Sequence, residues 1–437
     1  MSKSAITGVA ALGLMVVFLC VFGSAAIPEE KVILEIWDTW TYYGMSAAGP
    51  AIDKIHAEYQ KAHPNVRLDR SVFPGGHPMR EVVDLALVSE EAPDVFYVHP
   101  SGSAITIGAK ADWYLDLTSY ADKFGWWDRL PEWAILRNTY KGRLRAYPWE
   151  QDFEYIYYSP RIFKELGVTE PKSWGEWINI CEKAKKAGYI PISYGNKCLW
   201  QAPNNWTDLA ALTGGRQLIL DVLQGRAKWD NLAFRDALER LTDMAQRGFF
   251  TPGFNGVEYQ DSLVEFYAGK SAMKWDGSWV IQDVIASMKA ADRDVFYIPQ
   301  IYPDKPQATL KGEGSAYFVW AKTKIPDVAA EYIDSITSEQ NLKTWIEDGY
   351  VIPIRKGAFD YGAFHLDPMI VKAFSTGQSM VEYCGDAFHI TAPPRVTYVL
   401  YHQLGAVLTG KQSIDDFLKQ VDETMEIAIS KNEHWQP

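Results

Sequence analysis

Phe266-Tyr267-Ala268-Gly269-Lys270-Ser271-Ala272-Met273-Lys274-Trp275-Asp276-Gly277-Ser278-Trp279 reads as a helix, a stop, a short strand, a turn and a new helix. Tyr259, Leu263, Phe266 and Tyr267 recur at helical spacing, and Gly269 falls where a left-handed terminator is wanted. Ser271 to Trp275 is a short, mainly apolar run that fits a buried strand. Asp276-Gly277 is a turn signal, and Ser278 is an N-cap for a helix through Val280, Ile281, Val284, Ile285 and Met288. Trp279 then opens a helix just beyond a strand's carboxyl end, which is where open α/β sheets bind ligands.

The same alternation extends in both directions. Val32 to Trp37 reads as a first strand, and Ile52, Ile55, Tyr59 and Ala62 mark an amphipathic helix ended by His63-Pro64. A strand at Val66 to Leu68, a helix through Val82, Leu85, Ala86 and Val88, and a strand at Pro93 to Val98 follow. Strands separated by helices of this size imply right-handed crossovers and a parallel sheet. A second α/β pattern starts after Tyr147-Pro148, with a helix through Phe234, Ala237, Leu238, Leu241 and Met244. The chain then returns through Tyr302-Pro303 to a strand at Gly314 to Ala321 and a helix through Ala329, Tyr332, Ile333 and Ile336. It crosses again near Tyr350 to Pro353 and ends in a helix capped by Ser413, with Phe417, Leu418, Val421 and Met425 on one face.

A chain of 437 residues exceeds what one hydrophobic core covers, so two lobes are expected. Residues 1–26 read as a signal peptide: Lys3, an apolar run from Ala5 to Phe22, then Gly23-Ser24-Ala25-Ala26. An uncleaved anchor is the alternative, since the run is long enough to span a bilayer. Cys20 is a weaker lipid-anchor candidate, because Val17-Phe18-Leu19 lacks the small residue that lipidation requires. Cys181, Cys198 and Cys384 remain after the signal, an odd number that allows at most one disulfide. The net charge of -12 argues against nucleic acid or an anionic membrane surface as partner. Seventeen Trp and 24 Tyr exceed what packing alone requires and point instead to aromatic recognition.

Phe266 to Trp279 resembles the "F-x-x-G-K-A-A-M-x-x-x-G-S-W" stretch of the family 1 extracellular solute-binding proteins of ABC importers. The resemblance continues in order along the chain. Pro93-Asp94-Val95 resembles the N-terminal lobe of that family, and Trp113-Tyr114-Leu115-Asp116-Leu117-Thr118 its "G-x-L-x-D-L-T" element without the first Gly. Tyr157-Tyr158-Ser159 is similar to "Y-Y-N", with Ser159 in place of Asn, and Pro171-Lys172-Ser173-Trp174 to "P-k-T-W". The resemblance implies a two-lobed α/β periplasmic-binding-protein fold, type II-like, each lobe a mainly parallel sheet flanked by helices and joined by hinge crossings. Residues 27–146 with 304–350 are expected to form the N-terminal lobe, and 147–303 with 351–437 the C-terminal lobe. It also implies a monomer, exported to the periplasm or cell exterior, that hands a carbohydrate to the permease subunits of an ABC importer and their ATPase.

The sequence lacks the common local catalytic motifs. Gly269-Lys270-Ser271 lacks the earlier Gly of a phosphate loop, since Val264 stands there. No Ser lies in a G-x-S-x-G elbow and no His pair has zincin spacing. No cofactor or metal is expected. Glu150, Asp152 and Glu154 could serve a secreted glycoside-active enzyme, but carboxylates two apart on a strand share one wall instead of flanking a bond. With Asp276 they could alternatively cage a cationic solute such as a polyamine beside aromatic rings.

A sugar offers an apolar C–H face and a rim of hydroxyls, matched by flat rings and by convergent polar groups. The candidate ligand-binding residues at predicted strand ends and linkers are Trp37, Trp40, Tyr43, Trp149, Asp152, Trp200, Asn205, Trp206, Trp275 and Asp276. The resemblance adds Trp279 of "G-S-W" and the glycine entry at Gly314, and Arg355 is a candidate for a hydroxyl or a hinge carboxylate. Trp200 to Trp206 is expected to be a polar-aromatic loop.

Overall fold

The computed structural model describes residues 31–40, 48–73, 77–100, 102–305, 311–380 and 387–437. Tyr43, Cys20, Cys384 and the signal segment lie outside the described residues.

Three strands build one half of the main sheet: β1 (Val32–Asp38), β2 (Val66–Val72) and β3 (Val95–Val98). Their crossovers are the helices Ala48–Ala62 and His77–Ser89, so β1 pairs in parallel with β2 on one side and β3 on the other. A small hairpin, β4 (Thr139–Tyr140) and β5 (Arg143–Leu144), precedes the long strand β6 (Tyr147–Tyr158). In the other half β7 (Ile190–Ser193) pairs in parallel with β8 (Ser271–Gly277), and β9 (Asp294–Phe296) pairs with β6. Finally β10 (Lys311–Val319) returns antiparallel between β3 and β6. The sheet is therefore mixed. Strands joined by crossover helices run parallel within each half, whereas those that carry the chain between halves run antiparallel.

The side-chain period of two decides which core each strand residue enters. In β3 and β10, Val95, Tyr97, Tyr317 and Val319 enter one core, while Phe96, Val98, Ala316 and Phe318 enter the core on the opposite face. In the other half, Ile156, Tyr158, Met273 and Trp275 face a large helical core, and Phe153, Tyr155 and Tyr157 face another.

One strand belongs to both halves. β6 pairs with β10 from Tyr147 to Phe153, then with β8 from Glu154 to Tyr158. A third segment runs along its other edge, where Gln151 donates to the Ile352 carbonyl at 2.9 Å and Ile354 donates to that of Trp149 at 2.6 Å. Tyr350 enters this segment at a φ of 50°, a left-handed value that a non-glycine residue adopts only under local constraint.

The opening stretch folds mostly as its pattern requires. The helix Tyr259–Tyr267 ends, and Gly269 takes a φ of 68°. However, β8 continues through Asp276 and Gly277, so the expected turn is strand. Ser278 is not an N-cap: Ser278–Val280 is one turn of tighter helix leading into Ile281–Ser287, and its hydroxyl is committed elsewhere. The expected loop at Trp200 to Trp206 is instead the start of the helix Gln201–Leu223. Asn196 Oδ1 accepts from the Ala202 amide at 3.1 Å, and Pro203 falls in the first turn where its missing N–H is harmless. Cys181 and Cys198 are both free thiols. Among the described residues, no helix is long and apolar enough to cross a membrane.

Candidate functional site

The two sheet halves meet at a cavity beside β6. Its lining comes from three directions: Trp40 and Ala48 after β1, Glu150 and Gln151 on β6 with Tyr350 to Ile352 alongside, and Ser278, Trp279 and Gln282 after β8. Trp40 and Trp279 follow the carboxyl ends of strands in opposite halves, as the parallel-strand argument requires.

Each ring is held in place. Trp40 is fully buried even though it lines the cavity: it stacks on Tyr97 with centroids 4.4 Å apart, abuts Trp345 at 4.7 Å, and donates its indole N–H to the Tyr317 hydroxyl at 3.2 Å. Trp279 is half-buried and donates its indole N–H to the Tyr259 hydroxyl at 3.0 Å. That hydroxyl in turn donates to Asp276 at 2.9 Å. Gly277 makes room for the ring: a Cβ there would lie 2.1 Å from Trp279 Cζ3. Gln282, one turn beyond Trp279, lines the same cavity and donates to the Gly349 carbonyl at 3.0 Å.

The floor is acidic. Tyr97 donates to Glu150 Oε2 at 2.5 Å, and Ser278 donates to Asp152 Oδ1 at 2.8 Å. Burial pushes Glu150 up to about 8, helped by the neighbouring Asp152 charge and opposed by the Tyr97 hydrogen bond. Burial likewise pushes Asp152 up to about 6, against the Ser278 hydrogen bond. Both side chains pack on Gly314, where a Cβ would lie 2.4 Å from Asp152 Oδ2 and 3.4 Å from Glu150 Cγ. His99 Nδ1 is hydrogen-bonded to the Gly314 carbonyl, which pins β10 at this point.

Beneath the floor lies a second polar layer. Lys274 and Asp276 form an ion pair at 3.3 Å with both side chains fully buried. Burial lowers the Lys274 pKa and raises that of Asp276. Asn204 donates to Glu154, and burial followed by the Asp208 charge raises the Glu154 pKa well above the ordinary range. A polyamine cage built on Asp276 and Glu154 therefore has its charges already committed inside the lobe.

Several candidate residues are in the core, not at the cavity. Trp206 is fully buried, donates to the Phe234 carbonyl at 2.9 Å and packs edge-on against Phe388. Trp275 is fully buried, bonded to Asp208 at 2.8 Å and edge-on to Trp177. Asn205 is buried, with its amide oriented to accept from Trp275 Nε1 and donate to the Tyr194 hydroxyl. Trp149 is buried against Trp345 at 5.5 Å. Among the described residues Arg355 pairs with no carboxylate, and it is not part of the cavity lining; it donates to the Thr337 carbonyl at the end of the helix Pro326–Ile336. Trp37 is half-buried against Phe73 at 4.9 Å, one strand residue out of phase with Ile36 and on the other face. Trp200, half-buried, joins the Trp279 wall edge-on at 5.8 Å. Tyr97, Tyr259 and Gln282 are not among the site residues expected from the sequence, where Tyr259 reads only as part of a helix face. Only Gln282 carried a usable signal, its one-turn spacing from Trp279.

Two half-sheets sharing a strand, with aromatic rings and polar groups from both halves converging on one cavity, define a two-lobed solute-binding protein. Residues 45–343 match the model of the family described as bacterial extracellular solute-binding protein, and the chain belongs to that family. It is 23% identical over 359 residues to a multiple sugar-binding protein of Streptococcus mutans, covering 79% of this chain and 81% of that one. It is 24% identical over 310 residues to the diacetylchitobiose binding protein NgcE of Streptomyces coelicolor, covering 67% and 65%. Among solved structures, a chitin oligosaccharide binding protein superposes with a TM-score of 0.80 at 19% identity, over 92% of this chain and 100% of that one. The GacH receptor of Streptomyces glaucescens, solved unliganded and with acarbose, gives 0.73 at 20% identity, over 92% and 98%. These likenesses show the two-lobed fold.

Proposed function

We propose that the protein captures a sugar or oligosaccharide between its lobes by hinge closure and delivers it to an ABC importer. The observation that carries this is the pairing of Trp40 and Trp279 at one cavity, from opposite lobes, around the acids and amides of Glu150, Gln151 and Gln282. Flat rings suit the C–H faces of a pyranose, and the polar groups between them suit its hydroxyls. A ligand favours the closed form only by touching both walls, and this lining has both. The relatives named for multiple-sugar and diacetylchitobiose binding support the same ligand class.

The lobes are residues 27–146 with 304–350 and residues 147–303 with 351–437. The hinge is β6 with its two neighbours, and Tyr350 is the residue whose backbone absorbs the rotation. The protein works outside the cytoplasm as a monomer, and its loaded, closed form docks on the permease subunits. Glu150 and Asp152 bind hydroxyls without catalysing hydrolysis, since both stand on one wall of the cavity and pack on one glycine.

A thermal-shift screen of sugars, oligosaccharides and polyamines tests the reading. A sugar at a hundredfold excess over its dissociation constant should stabilise the protein by about 2.7 kcal/mol. Stabilisation by polyamines alone would overturn the carbohydrate assignment, and release of shorter products would overturn pure binding.

A further inference from the structure

We infer that a clasp outside the ligand cavity ties the two lobes together and sets the energetic cost of opening them without touching ligand. The inference rests on the proposed lobe boundaries and concerns how their rotation is controlled. One side of the clasp is a single helix face. Ser103, Thr106 and Lys110 stand three and four residues apart on the helix Gly102–Lys110, so they share one face. Each is engaged by the other lobe. Ser103 donates to the Thr391 carbonyl at 2.9 Å, Thr106 Oγ1 accepts from the Gln436 amide at 3.1 Å, and Lys110 donates to the Asn432 carbonyl at 2.6 Å. Ser103 and Thr106 are fully buried, so their bonds lie inside a packed interface. Arg137, also buried, donates to the Pro100 carbonyl at 3.0 Å and to Thr391 Oγ1 at 3.4 Å.

Both sides are anchored in their own lobe. Ile105 packs into the core shared by Phe96 and Phe318. Gly108 lets the ring of Tyr114 lie against the helix, since a Cβ there would fall 2.1 Å from Tyr114 Cε2. On the other side the helix Ile414–Ser430 ends, and Asn432 turns the chain at a φ of 54°, a left-handed value that asparagine tolerates. Glu433 then pairs with Arg395 at 2.6 and 2.9 Å, and Trp435 is buried in the large helical core. The tail is therefore a fixed strap that presents its Asn432 carbonyl and Gln436 amide to the opposite lobe. Among the described residues, none of the clasp lines the cavity. Yet the clasp belongs to the same arrangement that puts Trp40 and Trp279 at one cavity and lets Gln282 donate to the Gly349 carbonyl. Contacts that hold this arrangement without ligand raise the population able to bind on both walls, so loosening them lowers affinity from a distance.

Small-angle X-ray scattering of the purified full-length protein without ligand tests this, beside thermal melts that confirm folding. Ser103→Ala combined with Thr106→Val removes both buried hydroxyls. The radius of gyration should then rise by about 1 Å above the roughly 22 Å of a compact chain of this length. Thr106→Ser, which keeps the acceptor, should scatter like the wild type. Lys110→Ala, at an exposed position, should shift the radius in the same direction by less, and it decides the matter if the double variant does not fold. Each sugar that binds in the thermal-shift screen should bind the double variant about threefold more weakly, by a common factor and through faster dissociation. An unchanged radius in the folded variants overturns the inference, because the bonds would then be packing without control of the lobes. An affinity loss that differs from sugar to sugar also overturns it, since these residues would then touch ligand. If no sugar binds, the carbohydrate reading fails while the scattering still decides the clasp.

Discussion

Trp279 occupies the space that a side chain on Gly277 would need: a Cβ at residue 277 would stand 2.1 Å from the edge of the indole. The glycine is demanded by this close approach and not by its backbone, which is extended at a φ of -111°. Gly277→Ala should therefore push the ring off its seat while leaving β8 paired with β6. Ligand affinity should fall about tenfold, equivalent to about 1.4 kcal/mol, with little change in melting temperature. Trp279→Ala should lose more affinity with similarly little loss of stability, because the ring is only half-buried. Titration calorimetry beside thermal melts reads both, and a large stability loss with intact binding would make Trp279 a core residue.

Gly314 plays the corresponding part at the hinge. It lies where β10 shifts register against β6, and the carboxyl of Asp152 fills the space beside its Cα. Gly314→Ala places a methyl 2.4 Å from Asp152 Oδ2 in a region with no slack. Overpacking of this kind destabilises by about 1–3 kcal/mol. The double variant with Asp152→Ala should recover most of that loss in urea denaturation. If the two substitutions simply add, the clash is elsewhere.

The parts legible in the sequence were those governed by local periodicity. Helix faces such as Ile52, Ile55 and Tyr59, the left-handed Gly269 and the order of strands follow from spacing alone. The floor of the site does not. Asp276 looked like half of a turn, but a buried Lys274 two residues earlier gives it a partner and keeps β8 extended. Trp206 and Trp279 are the same residue type beside similar polar neighbours, and only the all-round burial of the helix Gln201–Leu223 near its start separates them. His389 reaches Trp200 through tertiary packing of distant segments, and no spacing rule joins them.

Glu150 ties stability to pH. Its folded-state pKa of about 8 stands above the ordinary 4.5, so the folded protein prefers the protonated acid. Its contribution to stability is fully present below about pH 4.5 and is lost as pH rises through about 8. Asp152 acts with the same sign over the lower window from 3.8 to about 6. The melting temperature of the unliganded protein should fall as pH rises across these windows. Glu150→Gln keeps a neutral acceptor for the Tyr97 hydroxyl and should flatten the upper part of the curve. Identical slopes in wild type and variant would show that Glu150 does not titrate there.

Trp206 provides the opposite case to Trp279. It is fully buried, its indole N–H is bonded to the Phe234 carbonyl, and its ring meets Trp229, Phe234, Phe388 and Phe417. Phe388 begins the short helix Phe388–Thr391, so Trp206 supports that helix without lining the cavity. Trp206→Ala leaves a cavity among four aromatic rings and should destabilise by about 3–5 kcal/mol. Protein that remains folded should bind a disaccharide with near-normal affinity, since the ring touches nothing at the Trp40–Trp279 cavity. A folded Trp206→Ala protein that binds no short sugar would instead place this tryptophan among the ligand contacts.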